Sequence, residues 1–276
     1  MGIEWPLTLF TIVAGTGAAT LAFAGIGEFF GAGKKARFFA AIFALILLIA
    51  GGCISLLHLG NPVNFMSAAT NLFSFSPISL ELIFLGLGVI VAVIYLVVVN
   101  REGSASKIVG ICGIVVGALF CYFSGHGYEV IAARPAWATP TLTLSYAFSA
   151  LTIGGFLFLC LQAIFKDDAA SIKKVGLIVL IVAVLMTILY IAYGALSPIG
   201  DNAMLFWVGA VVVGGVISVA AGVLVWMKSN VPMIYVGILA ALIGGIAFRA
   251  VMWLAGSMYL PGFFDLASQS RGLFPF

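Results

Sequence analysis

The sequence predicts an all-α polytopic membrane protein, eight transmembrane helices in an up-down bundle with both termini outside, and three observations predict it. Of the 276 residues, 64% are hydrophobic and only 8% charged, whereas a soluble domain carries roughly a quarter charged residues; the mean hydropathy is +1.27. Apolar runs of about twenty residues, the length an α-helix needs to cross hydrocarbon, recur along the chain without the alternating polarity of an outer-membrane barrel. Lys34, Lys35 and Arg37, then Arg101 and Lys107, then Lys166, Lys173 and Lys174, then Lys228 fall in alternate loops, which marks those loops as cytoplasmic. A soluble enzyme is thereby excluded, and a net charge of +3 gives no footprint for nucleic acid.

The first run, 7–30, follows Glu4-Trp5-Pro6. An acid stands where a signal peptide would be basic and no small-residue cleavage site follows, so this helix is expected to remain. Helix two, 37–59, ends in His58, and helix three, 78–100, opens Ser79-Leu80-Glu81 beyond a loop rich in Asn, Ser and Phe. Helix four, 107–126, reaches His126; a loop with Tyr128, Glu129, Arg134 and Trp137 leads to helix five, 141–165. Helices six to eight are expected at 174–197, 203–227 and 232–256, with Arg249 on the outer third of the last. Residues 1–276 then make a single integral membrane domain, because cytoplasmic turns this short force antiparallel hairpins. No internal repeat relates the two halves. The glycines concentrate within the spans, as in Gly113-x-x-x-Gly117 and Gly214-Gly215, where small residues let helices approach closely. Cys53, Cys112, Cys121 and Cys160 lie in apolar runs without metal-ligand spacing and read as core packing.

A central charge costs about 2.5 to 3.5 kcal/mol on insertion scales, so the placement of polar groups is informative. Glu4, Glu129, Arg134 and Asp201 read as solvated helix ends, and Glu28, beside Lys34 and Lys35, as a solvated or salt-bridged one. Glu81 lies a turn into an apolar run and must be neutralised, paired or hydrogen-bonded. Arg249, among Phe248, Val251, Met252 and Trp253, either reaches lipid headgroups or pairs with an acid from a neighbouring helix, the preferred outcome. Histidine, carboxylate and arginine near one membrane face suit a greasy molecule that gives up two protons with two electrons, a quinol. His58 can accept a proton and Glu81 can hold or relay one, while Trp5, Phe65, Tyr128 and Trp137 offer aromatic surface to the ring. Two other readings use the same residues differently: a haem b anchor with His58 and His126 as axial ligands, which a haem absorption band would reveal, and a small-solute transporter, which needs polar midplane positions that are sparse here.

Glu4-Trp5-Pro6-Leu7 with Phe10, Leu57-His58-Leu59-Gly60-Asn61-Pro62 followed by Asn71, Ser79 and Glu81, Pro135-Ala136-Trp137 with Thr139-Pro140, and Arg249 before Met252-Trp253 together resemble the membrane anchor subunit of the dimethyl sulfoxide reductase family. The resemblance spans nearly the whole chain. It implies a complex with a molybdopterin catalytic subunit and a four-cluster iron–sulfur subunit on the outer side of the cytoplasmic membrane, in which this chain oxidises menaquinol. It also implies that His58 and Glu81 are the quinol-site residues and that this chain itself carries no haem or metal. Gly15 and Gly245 stand where it implies a glutamine in helix one and an acid a turn before Arg249.

Overall fold

The structure is a computed structural model that describes residues 2–59, 66, 70–102 and 107–256. Its eight membrane-length helices are α1 Trp5–Phe30, α2 Ala36–Leu56, α3 Pro77–Glu102, α4 Lys107–Glu129, α5 Pro140–Ile164, α6 Ala169–Leu196, α7 Gly200–Lys228 and α8 Val231–Ala255. No strand occurs among the described residues. In lipid every backbone polar group must be satisfied within its own segment, and apolar runs of this length have only the helix available. Two expected elements differ. α2 stops at Leu56, so His58 sits in the turn beyond the helix. α7 opens with a single 3-10 turn, Gly200–Asn202, and continues as a π-helix over Leu205–Ile217 before closing as an α-helix; no residue pattern announces it.

α1 is the central strut, packed against α2, α4 and α5. Small residues make that position possible: a Cβ on Gly51 would meet the backbone of Ala14 at 2.7 Å, and one on Gly113 would come within 3.3 Å of the Leu21 carbonyl. The glycine stripes therefore serve helix packing. Cys121 and Cys160 are buried as expected, but Cys53 and Cys112 are exposed on the flanks of α2 and α4; an apolar run crossing lipid does not say which of its faces looks inward.

The two ends of the bundle differ. At the basic end, which carries the lysine-rich turns, Gly31 and Gly33 take the left-handed conformation (φ 64° and 70°) that glycine adopts without a Cβ penalty. The turn they form is pinned by the Gly33 N–H donating to Ser171 Oγ at 2.6 Å and by the Lys35 N–H donating to Asp167 Oδ1 at 3.2 Å. Beneath it Arg37 meets Glu28 at 2.6 Å, with both side chains almost wholly buried, and the Tyr95 hydroxyl of α3 donates to the other Glu28 oxygen at 2.8 Å. Glu28 is thus a salt-bridged helix end, paired with Arg37. The opposite, aromatic end packs Tyr128, Trp137, Tyr146, Tyr190, Tyr193, Phe206, Phe248 and Trp253 into one cluster.

Candidate functional site

The aromatic end is built around one buried cation. Arg249 precedes the end of α8 by just under two turns and has no solvent exposure. Its Nε donates to Thr11 Oγ1 of α1 at 2.9 Å, and its Nη1 donates to Ser149 Oγ of α5 at 3.1 Å and to the Gly245 carbonyl at 3.2 Å. The two hydroxyls are oriented for this by their own helices. Thr11 donates to the Thr8 carbonyl and Ser149 to the Tyr146 carbonyl, which leaves oxygen lone pairs for the guanidinium. The guanidinium also lies 4.3 Å from the centroid of the Tyr146 ring, a contact worth about 2 kcal/mol when desolvated.

The expected acid partner is not found: among the described residues no carboxylate lies within ion-pair distance of Arg249. Gly245 explains part of this. A Cβ there would come to 3.5 Å from the guanidinium, so the position contributes a carbonyl and space instead of a side chain. Arg249 Nη2 is buried and meets no partner among the described residues, and the same is true of Tyr146 Oη, Trp253 Nε1 and Glu81 Oε1. An unmet buried polar atom costs about 1–3 kcal/mol, more when charged; such atoms occur at the basic end too, at Gln162 Oε1 and Asp167 Oδ2, so what sets the aromatic end apart is that one of them belongs to a cation.

Glu81, one turn into α3, does not touch Arg249. Arg249 lies over the Tyr146 ring, which in turn meets the Tyr128 ring at a centroid distance of 5.6 Å. Tyr128 meets Trp137 and Trp253 edge-on, at centroid distances of 5.4 and 5.6 Å, and Trp137 meets Trp253 at 5.2 Å. Trp137 is held as a wall: its indole N–H donates to the Met252 carbonyl at 2.8 Å, and Arg134 lies over its ring and donates to the Gly256 carbonyl. Arg134 and Glu129, read from sequence as solvated helix ends, are both engaged. Glu129 accepts from Thr143 Oγ1 at 2.5 Å and stands 3.4 Å from His126 Nδ1.

His58 stands apart from this cluster, exposed in the turn after α2, with Nδ1 bonded to the Ser55 carbonyl. A carbonyl can only accept, so the neutral ring carries its proton on Nδ1 and leaves the Nε2 lone pair open. Ser55 also lines a cavity of about 380 Å³ between α2 and α3, with Leu82 and Leu85 opposite. His58, in the turn after α2, is tied to this lining through Ser55, and Glu81 precedes lining Leu82 in the chain, but neither His58 nor Glu81 itself lines the cavity. Trp5 is half exposed at the start of α1, and Phe65 lies outside the described residues.

The structure therefore joins Tyr128, Trp137 and Arg249 through Tyr146 and Trp253, and leaves Glu81, His58 and Trp5 outside those ring contacts. Thr11, Tyr146 and Ser149 belong to the cluster and carry no distinctive mark in the sequence, whereas Trp253 stands there beside Arg249. The only signal for Thr11 and Ser149 is small hydroxyls at helical spacing, Thr8 with Thr11 and Ser145 with Ser149, a pattern shared with ordinary helix packing. A family model described as DMSO reductase anchor subunit (DmsC) matches residues 1–203. The match includes His58, Glu81, Tyr128 and Trp137 and ends before Arg249. No curated protein matches the chain.

Proposed function

Because the chain belongs to the DMSO reductase anchor subunit family, we propose that it is the quinol-oxidising member of that membrane complex. On this reading residues 1–276 form one integral domain in the cytoplasmic membrane, with both termini and the aromatic end facing outward. Menaquinol gives its electrons to a four-cluster iron–sulfur subunit docked there, and through it to the molybdopterin catalytic subunit.

The observation that carries the reading is a buried cation with no counter-charge among the described residues, Arg249, whose Nη2 is unmet beside the aromatic cluster that holds Tyr146 and Trp253. A mostly apolar site with a few unmet polar groups suits a mostly apolar ligand with a few polar ones, and a hydroquinone ring is such a ligand. Its oxidation releases two protons and two electrons. The open Nε2 of His58, which is exposed, takes one proton and the Glu81 carboxylate takes the other. Arg249, through Nη2, steadies the ring oxygen that gains negative charge as its proton leaves. Trp5, Phe65, Tyr128 and Trp137 supply ring contacts. The electrons leave to the partner subunit's nearest cluster.

The test is made on the whole complex in membranes. His58→Ala and Glu81→Gln are each expected to lower quinol-dependent turnover by about 10²-fold or more, the range of a lost general base. Assembly and the rate with artificial donors that bypass this chain should stay unchanged. Normal quinol-dependent rates in both variants would refute the assignment.

A further inference from the structure

The cleft between α2 and α3 extends well past His58 and Glu81. It runs from Ser55 at the aromatic end down to Leu48, and from Leu82 to Val89 on the facing helix, about 10 Å along the axes at roughly 1.5 Å per residue. Its volume of about 380 Å³ falls within the range of small-molecule sites, about 300–1,000 Å³. Two glycines make it. A Cβ on Gly86 would meet nothing within 4 Å, and one on Gly52 would meet only Leu85 Cδ2, at 3.3 Å, so neither glycine is demanded by helix contact as Gly51 is. Gly86 and Cys53 are exposed, as are Ile49 and Ile90 beside them, so the cleft opens sideways onto the surface that faces lipid. Leu72, from the short 3-10 turn Leu72–Ser74, roofs it.

We infer that this cleft takes the isoprenoid tail of the quinol, admitted laterally from the bilayer, and that Gly52 and Gly86 set its width. The inference rests on the quinol function proposed above and adds the route and the seat of the tail. A hydrocarbon chain in contact with the cleft gains no advantage over bulk lipid from apolarity alone. What distinguishes this cleft from other lipid-facing grooves is its upper end, where His58 hangs from the Ser55 carbonyl and Glu81 adjoins Leu82. An occupant with a long apolar chain and a hydroxylated ring at its end satisfies both parts at once.

Gly86→Phe fills the cleft from a position with free space around it. Within the assembled complex, turnover is compared between menaquinol and a naphthoquinol lacking the prenyl chain. The ratio of kcat/KM for tailed over tail-less quinol is expected to fall several-fold, because the phenyl ring occupies the space the tail would fill and excludes it sterically. In parallel, a menaquinone carrying a diazirine in its tail is photolysed in the unaltered complex, and its insertions are expected in 48–56 and 82–89. An unchanged ratio in Gly86→Phe, or insertions spread evenly over lipid-facing helices such as α6, would overturn the tail cleft while leaving quinol oxidation intact. Failure of the unaltered complex to oxidise either quinol would overturn both.

Discussion

Arg37 and Arg249 are both buried inside the membrane-spanning bundle, one at each end, and their surroundings are opposite. Arg37 meets a carboxylate at 2.6 Å and the Ala32 carbonyl at 2.8 Å, and a tyrosine hydroxyl caps the carboxylate's other oxygen. Arg249 meets two hydroxyls, one carbonyl and one aromatic face, and keeps an Nη2 that nothing described satisfies. A buried cation with its counter-charge in place is a fastener that ties α1, α2 and α3 together. One held only by neutral groups retains the capacity to stabilise negative charge that arrives later, as a substrate loses protons. Burial of a charge is therefore not in itself a sign of function; the informative feature is how completely its neighbours answer it.

The comparison is most severely tested at the basic end. Arg37→Ala leaves Glu28 buried without its cation and is expected to destabilise the protein by about 3–5 kcal/mol, read as a large drop in thermal midpoint in detergent. Replacing Glu28 and Arg37 together by Met should restore most of that loss, because the penalty belongs to the stranded charge. Arg249→Met should behave in the opposite way. Thr11 and Ser149 keep their backbone acceptors and no acid is stranded, so stability should change by less than about 1 kcal/mol. Quinol-dependent turnover should nevertheless fall by roughly tenfold to a hundredfold, about 1.4–2.7 kcal/mol in the barrier. A thermal loss in Arg249→Met as large as that in Arg37→Ala would erase the distinction. A third variant, Tyr95→Phe, removes one hydrogen bond to the Glu28 carboxylate at the basic end. It should cost about 1.5–3 kcal/mol of stability and leave turnover unchanged, and a slowed turnover there would show that the basic end takes part in the chemistry.

Much of this was open to inspection in the chain itself. The helices announce themselves by run length, and the basic end by its lysines and arginines. Gly113 and Gly117 read correctly as packing residues. Other features were hidden for identifiable reasons. Cys53 and Cys112 looked like core because their neighbours are apolar, yet apolar neighbours also clothe a lipid-facing flank. The acid expected for Arg249 was inferred from cost alone, and the cost is instead shared among Thr11, Ser149, the Gly245 carbonyl and the Tyr146 face, none of which is charged. The π-helix of α7 leaves no local trace, although it sets Phe206 against Tyr190, Tyr193 and Phe248.

By itself the amino-acid sequence determined that this chain crosses a membrane as eight helices and which of its turns are basic, because hydrocarbon forces each segment to satisfy its own backbone and run length is a local property. Only the tertiary structure decided how each helix is rotated about its axis, and hence that Arg249 finds Thr11, 238 positions away, and Ser149, 100 positions away. In water the polar face of a helix declares its outside. Here lipid is as apolar as the core, so composition carries little record of which face turns inward, and that choice falls to the packing of all the helices together.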